Sequence, residues 1–409
     1  MPTRCFNIQT IPEFPVSRLY RKFGLQISGY LICTCLCLPL FGKTHHVGAG
    51  QTYTSLAQAV AVTLPGDTIM VHEGKYAGGI SIARLQGTNL KWIYITPAPN
   101  ATVIYAGGIA AWHMTDAAYV QVKGFIFEQQ TGNGFNMDDG GTYDTPSHHI
   151  IFDACTFRNI KAKGNNDLLK LSGVDFFEIK NCVFLNGATG GSAIDMVGCH
   201  EGSITNNRFE NQGSNSIQAK GGAKNIRIAF NVFKNGGQRT LNLGGSTNLK
   251  MFRPLDARYE AAQLTVYSNI IIGSDAPIAY VGCVHTEVMN NTIYLPQKWV
   301  IRILQETVDT SRFYPCGNNS FKNNIIYRNN RVSTDCNTGA NTTPQSFNFS
   351  GNVWYHAQNP AWTGPVLPVK DINSIIGKDP LFNNAASGDF TLQAASPAAG
   401  KGYQNNGKL

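Results

Sequence analysis

The strongest constraint on this chain is a repeat. From about residue 112 a short apolar–x–apolar triplet returns: Trp112-His113-Met114, Phe135-Asn136-Met137, Leu169-Lys170-Leu171, Ile194-Asp195-Met196. It continues as Ile217-Gln218-Ala219, Leu241-Asn242-Leu243, Ile278-Ala279-Tyr280 and Ile301-Arg302-Ile303. Apolar residues on either side of a mostly polar one is the alternation of a strand with one buried face. The middle positions lie 23, 34, 25, 23, 24, 37 and 23 residues apart. A period in the low twenties predicts a solenoid, because one coil buries its apolar face only by stacking on the next. A second column keeps the same register: Cys155, Cys182, Asn207, Asn231, Asn269, Asn291, Asn324 and Asn352 each open a short apolar strand. Asn side chains stacked at a turn about 4.8 Å apart can bond from coil to coil. The expectation is an all-β parallel β-helix, with Thr54 to Val62 as a short amphipathic helix capping the first coil.

Composition agrees with that architecture. Asn numbers 38 and Gly 42, against 25 Asp plus Glu. Both residues serve turns better than helix interiors, which excludes a helical bundle. The chain is 43% hydrophobic and 11% aromatic, so it folds around a large core and is not disordered. The net charge is +8, but the basic residues form no run and no nucleic-acid module occurs, so nucleic acid is not the expected partner.

The N-terminus reads as a leader. Phe23 to Gly42 carry no charge, follow Arg18, Arg21 and Lys22, and centre on an apolar run from Leu31 to Leu38. That is the pattern of a signal peptide or signal anchor. The expected division is 1–42 as leader and 43–409 as a single domain, exported to the periplasm, cell surface or medium. A membrane is then a partner only through an uncleaved leader. Removing residues 1–42, with four basic residues and one Glu, leaves the body at +5. Six of the ten cysteines belong to that body, and Cys316 and Cys336 flank one loop-rich segment where they are expected to pair. The body has no CxxC and no HExxH, so no zinc site is expected.

The two columns also locate insertions. From the middle of the triplet to the Asn column takes 12 or 13 residues in the coils of Lys170, Asp195, Gln218 and Ala279. It takes 19 from Asn136, 27 from Asn242 and 22 from Arg302. All three insertions fall on the same side of the triplet strand and are expected to wall one groove. They carry Tyr143, His148 and His149, then Arg253, Arg258 and Tyr259, then Arg312 and Tyr314. A long groove rich in cations and aromatics suits an extended acidic polymer. Two residues past the triplet centre, Lys220 has Val197 and Gly244 as neighbours, which leaves room for a substrate. With Lys170, Lys224 and Arg239 in the same region, like charge and burial would depress its pKa toward that of a general base.

The segment Ile217-Gln218-Ala219-Lys220, with Asn225 and Asn231-Val232-Phe233, resembles the catalytic coil of polysaccharide lyase family six, the alginate and chondroitin B lyases. The wider likeness is to the pectate-lyase-like superfamily. It includes Gly66-Asp67-Thr68-Ile69, Gly74-Lys75-Tyr76 and Ser396-Pro397-Ala398, and it covers most of residues 46 to 403. The resemblance implies a right-handed winding and β-elimination on a uronic-acid polysaccharide such as pectate, alginate or a glycosaminoglycan. It makes Lys220 the base that removes the proton alpha to the carboxylate. The family's arginine position falls at Gly244, so Arg239 or Arg253 would neutralise the carboxylate, with Tyr259 or an arginine as acid. The family's acidic calcium ligands fall near Gly213 and Asn215, which leaves Ca2+ open. Lys170, Asp195, Gln218, Asn242, Arg258, Tyr259 and Arg302 are the expected substrate contacts.

Other chemistries on this fold ask for different residues. A hydrolase needs two carboxylates flanking the bond, and Asp138 and Asp139 are adjacent, so strand alternation points them apart. The motifs of polygalacturonases and the Asp-Pro-His-Asp motif of alginate epimerases are absent. A noncatalytic carbohydrate-binding surface protein is the alternative from another class, since a fold does not carry an activity.

Overall fold

The alternating triplets form strands that never turn back on themselves. A computed structural model describes residues 42–404, so the leader and its four cysteines fall, but for Gly42, outside the described residues. The strands assemble into three long parallel sheets of 14, 10 and 12 strands, in which the successive pairings run from one coil to the next. This is a parallel β-helix. The ten-stranded sheet holds the triplets in the expected register: Asn136 pairs with Lys170, Lys170 with Asp195, Asp195 with Gln218, Gln218 with Asn242, Asn242 with Ala279, and Ala279 with Arg302. The stack begins earlier than the triplets reveal, with Thr44–Val47 pairing with Thr68–Val71 and Ile80–Ala83 with Trp112–Thr115.

Alternation settles what is inside. The outer residues of the triplets, from Trp112 and Met114 to Ile301 and Ile303, are all buried in one continuous core. Phe127, Phe157, Phe184, Phe209 and Phe233 stack coil on coil at 5.1, 5.0, 4.8 and 4.6 Å between ring centres. Each such contact contributes roughly 0.5–1.5 kcal/mol beyond its burial. A short helix, Leu56–Val60, opens with Ser55 in a capping box with Gln58 and buries Leu56 and Ala59 in the same core. Among the described residues no helix is long and apolar enough to cross a membrane.

The Asn surplus has two separate physical uses. Asn207, Asn231, Asn269, Asn291, Asn324 and Asn352 form a buried ladder in which each Nδ2 donates to the next Oδ1, at 2.9 to 3.1 Å. The ladder ends where Asn352 donates to Asp371, which also accepts from the Trp354 indole. Beside it, Asn159, Asn186, Asn211 and Asn235 sit at φ between 51 and 54°, the left-handed region that Asn enters more readily than other side-chain-bearing residues. Three Asn-Asn pairs divide the tasks: Asn206, Asn290 and Asn323 take the left-handed turn, and Asn207, Asn291 and Asn324 take the ladder.

The expected Cys316–Cys336 bond is not made. Both are free thiols, as are the other four described cysteines. Register is the reason: Val284 bridges Gly317, which sets Cys316 against Cys283 on the neighbouring coil, whereas Cys336 pairs with Ile301 in the ten-stranded sheet.

Candidate functional site

All three insertions leave the ten-stranded sheet at its C-terminal edge, and glycines let them lie down on it. Gly173 and Gly198 occupy equivalent turns at φ of 63 and 59°. A Cβ on Gly173 would lie 2.1 Å from Asp139 Oδ2, and one on Gly198 would lie 2.6 Å from the Arg253 Cβ. The first loop therefore seats Asp139, and the second seats Arg253, where any side chain on the floor would exclude them. Between loops and sheet lies a cleft of about 400 Å³ lined by Asp139, Tyr143, Lys170, Val197, Lys220 and Arg253, with Ser246, Thr247 and Asn248 from the second loop.

Two lysines meet at its floor. Lys220 Nζ lies 3.3 Å from Asp195 Oδ2 and donates to Gln218 Oε1 at 3.3 Å. Lys170 Nζ bonds the same Asp195 oxygen and lies 3.8 Å from Asp167 Oδ2. Asp195 is 1% exposed, and its other oxygen has no partner among the described residues. Burial, reinforced by the neighbouring Asp195 charge, pushes the Asp167 carboxyl up. Burial disfavours the Lys170 ammonium, but Asp195 and Asp167 outweigh that and raise its pKa, so Lys170 is a fixed positive charge at neutral pH. Asp139 is half-buried, and desolvation pushes its carboxyl up. Asp138, its neighbour in sequence, turns to His113 Nε2 at 2.5 Å and Asn136 instead, so the two carboxylates serve different places.

The arginines are distributed otherwise than the sequence suggests. Arg253 lines the cleft, but its guanidinium makes two bonds to Asp175, at 2.7 and 2.6 Å, a third to the Gly198 carbonyl at 2.8 Å, and a contact with His200 Nδ1 at 3.1 Å. Burial alone would raise Asp175, but the bonds from Arg253 and His200 outweigh it and hold the carboxyl at about 2. Arg253 thus fastens the second loop. Arg239 bonds Glu306 Oε1 at 2.6 Å and the buried Asn242 Oδ1 at 3.3 Å, away from the cleft lining. Arg258 donates to the Arg312 carbonyl and lies 4.2 Å over the Tyr314 ring. Tyr259 is half-buried, and desolvation raises its pKa. Neither residue lines the cleft. Arg302 lies three coils beyond Lys220 on the ten-stranded sheet.

Sequence reasoning missed Asp167, Asp175 and Glu260. Glu260 is fully buried and accepts from Gly221 N, Thr247 N, Thr247 Oγ1 and Thr307 Oγ1, tying the second and third loops to the coil of Lys220. Asp167, three residues before Lys170, carried the one available signal, since a residue just outside a strand can reach back to its face.

Comparison with known proteins extends the fold and stops there. Residues 286–403 match a family described as a domain of unknown function (DUF5123). No curated protein matches the chain. Among solved structures, pectate lyase Pel9A superposes with a TM-score of 0.56 at 13% identity, covering 90% of this chain and 93% of that one. A mannuronic acid specific polysaccharide family 6 lyase from human gut microbiota superposes with a TM-score of 0.52 at 12% identity, covering 82% of each chain. The likeness to the pectate-lyase-like parallel β-helix is therefore one of fold.

Proposed function

We propose that this chain is a polysaccharide lyase that cleaves a uronic-acid-containing polysaccharide by β-elimination. The observation that carries the reading is the pair of lysines, Lys170 and Lys220, sharing one fully buried carboxylate at the floor of a loop-walled cleft. In this reading Lys170 is the ammonium that balances Asp195, which leaves Lys220 Nζ as the amine that takes the C5 proton. The electron pair forms the C4–C5 double bond, the bond from C4 to the glycosidic oxygen breaks, and an acid returns a proton to that oxygen.

The roles follow from what each side chain is free to do. Lys170, held charged by Asp195 and Asp167, neutralises the substrate carboxylate and the enolate-like transition state. It takes the part first given to Arg239 and Arg253, whose forks already face Glu306 and Asp175. Asp139 is the acid in place of Tyr259, because it lines the cleft and burial favours its protonated form. Calcium does not fit this donor set: Gly213 and Asn215 have no carboxylate, and Lys170 Nζ bonds Asp195 and lies within 4 Å of Asp167. The same reading holds residues 1–42 to be an export leader, residues 43–409 a single right-handed helix, and the Leu56–Val60 helix its N-terminal cap. It leaves pectate, alginate and glycosaminoglycans as the substrate class.

The test is to incubate the protein with each of these polymers and follow the ultraviolet absorbance of an unsaturated product. Reducing ends without that absorbance identify a hydrolase, exchange of the C5 proton without cleavage an epimerase, and binding alone a carbohydrate-binding surface protein. Any of these sinks the lyase reading.

A further inference from the structure

The groove arginines differ in whether their forks are occupied. Arg253 is closed by Asp175 and Arg239 by Glu306, while Arg312 donates to the carbonyls of Leu255 and Ala257. Arg258, exposed on the second loop, and Arg302, part-buried on the ten-stranded sheet, keep theirs open, and the one set on the sheet is Arg302. Its Nε donates to Asn337 Oδ1 at 3.0 Å, and its guanidinium lies 4.4 Å over the Trp299 ring. Neither of its terminal nitrogens has a partner among the described residues, and it forms no ion pair there. Arg239 is close enough that, after burial, its charge is what most depresses the Arg302 pKa, and the charge of Glu306, which Arg239 bonds, offsets this only in part.

A stacked, partly desolvated guanidinium with both terminal NH2 groups unused is preorganised for a bidentate carboxylate. Its side chain is already fixed by Trp299 and Asn337, so little entropy remains to be lost on binding. Its position fits the same substrate. Arg302 belongs to the column that runs Asp195, Gln218, Asn242, Ala279, Arg302, three coils beyond Gln218. At a strand spacing of about 4.8 Å that is roughly 14 Å along the groove. One sugar ring cannot touch both Lys220 and Arg302, whereas an oligosaccharide can.

We propose that Arg302, oriented by Trp299 and Asn337 and supported by the charge of Arg239, is a distal carboxylate subsite that holds an acidic sugar of the same chain whose scissile bond lies at Lys220. This rests on the uronate reading of the cleft. It adds a direction and a length: from the cleft the substrate passes over the side chains that cover Asn242 and Ala279 toward Arg302, and chains too short to reach Arg302 bind without it.

The experiment measures kcat and KM of the full chain and of Arg302→Gln and Arg302→Lys on galacturonate and mannuronate oligomers from disaccharide to octasaccharide, with calorimetric binding in parallel. For long oligomers Arg302→Gln raises KM or Kd about tenfold, the worth of a charged hydrogen-bonded pair, with kcat little changed. For the shortest oligomers it changes neither. Arg302→Lys restores part of the affinity and keeps its salt dependence. An unchanged melting transition separates lost binding from lost structure. Equal affinities at every length for wild type and Arg302→Gln overturn the subsite while leaving the lyase reading intact. Binding that depends on length and on Arg302, without any cleavage, overturns the lyase reading while leaving the subsite. No binding of either oligomer, or of glycosaminoglycan oligomers run in parallel, at any length overturns both.

Discussion

Two columns of the same helix behave in opposite ways. The buried Asn ladder repeats one residue over six coils, and its amide groups are bonded to the neighbouring coil. The outward column of the ten-stranded sheet changes residue at nearly every coil: His113, Asn136, Lys170, Asp195, Gln218, Asn242, Ala279, Arg302. There a buried carboxylate oxygen of Asp195 is left without a partner, and a guanidinium keeps an open fork. A column that repeats is solving the same packing problem at each coil. A column that varies and leaves polar groups unpaired, at a cost of roughly 1–3 kcal/mol for a buried one, agrees with the proposed substrate site, where function and not stacking sets each residue.

Four substitutions sharpen or break this contrast. Lys220→Ala is expected to lower the elimination rate about 10³-fold, within the range for loss of a general base, while leaving the melting temperature unchanged. Retained absorbance change in that variant would show the base to be another group. Asn231→Ala is expected to do the reverse. The Asn231 side chain takes part in four hydrogen bonds to Asn207, Ile204 and Asn269, so its removal orphans buried groups in two coils. A loss of about 3 kcal/mol in urea unfolding is expected. A loss below about 1 kcal/mol would mean that the ladder is dispensable.

Asp175→Asn comes next, at about 2 kcal/mol, because it unfastens Arg253 and the second loop. The pH dependence has a definite sign. The folded Asp175 carboxyl is held at about 2, below the ordinary aspartate range, so its stabilisation is fully present above about pH 4 and is lost as pH falls toward 2. An acid titration of loop proteolysis should show that step in the wild type and not in Asp175→Asn. The smallest effect is expected at the exposed turn. Asn211→Ala keeps the fold but places Ala at φ 54° and removes a bond to Asn186, for about 1 kcal/mol in thermal unfolding. If it proved as costly as Asn231→Ala, burial would not be what separates the two Asn columns.

The legibility of the molecule follows the same division. The triplets and the Asn column could be read because a strand's inside and outside alternate by covalent geometry, and stacking repeats that choice every coil. The insertions could be placed on one side of the sheet by counting residues between columns. Their contacts could not. Arg253 meets Asp175 across 78 residues, and Arg239 meets Glu306 across 67, through loops whose paths no periodicity describes. The disulfide expectation failed similarly, because nearness in a loop-rich sequence is not register: Cys316 lies against Cys283, 33 residues before it, and not against Cys336.

By itself the amino-acid sequence determined the parallel β-helix, the register of its triplet strands, the side from which the loops emerge and the position of Lys220 on the sheet. These depend on alternation and stacking, which are local and recur. Only the tertiary structure decided which charges are free. It closed Arg253 and Arg239 on carboxylates, joined Lys170 to Lys220 through Asp195, and left Arg302 open. Ion pairs form between whichever side chains the folded loops bring within a few ångströms, and that distance is fixed by the whole chain.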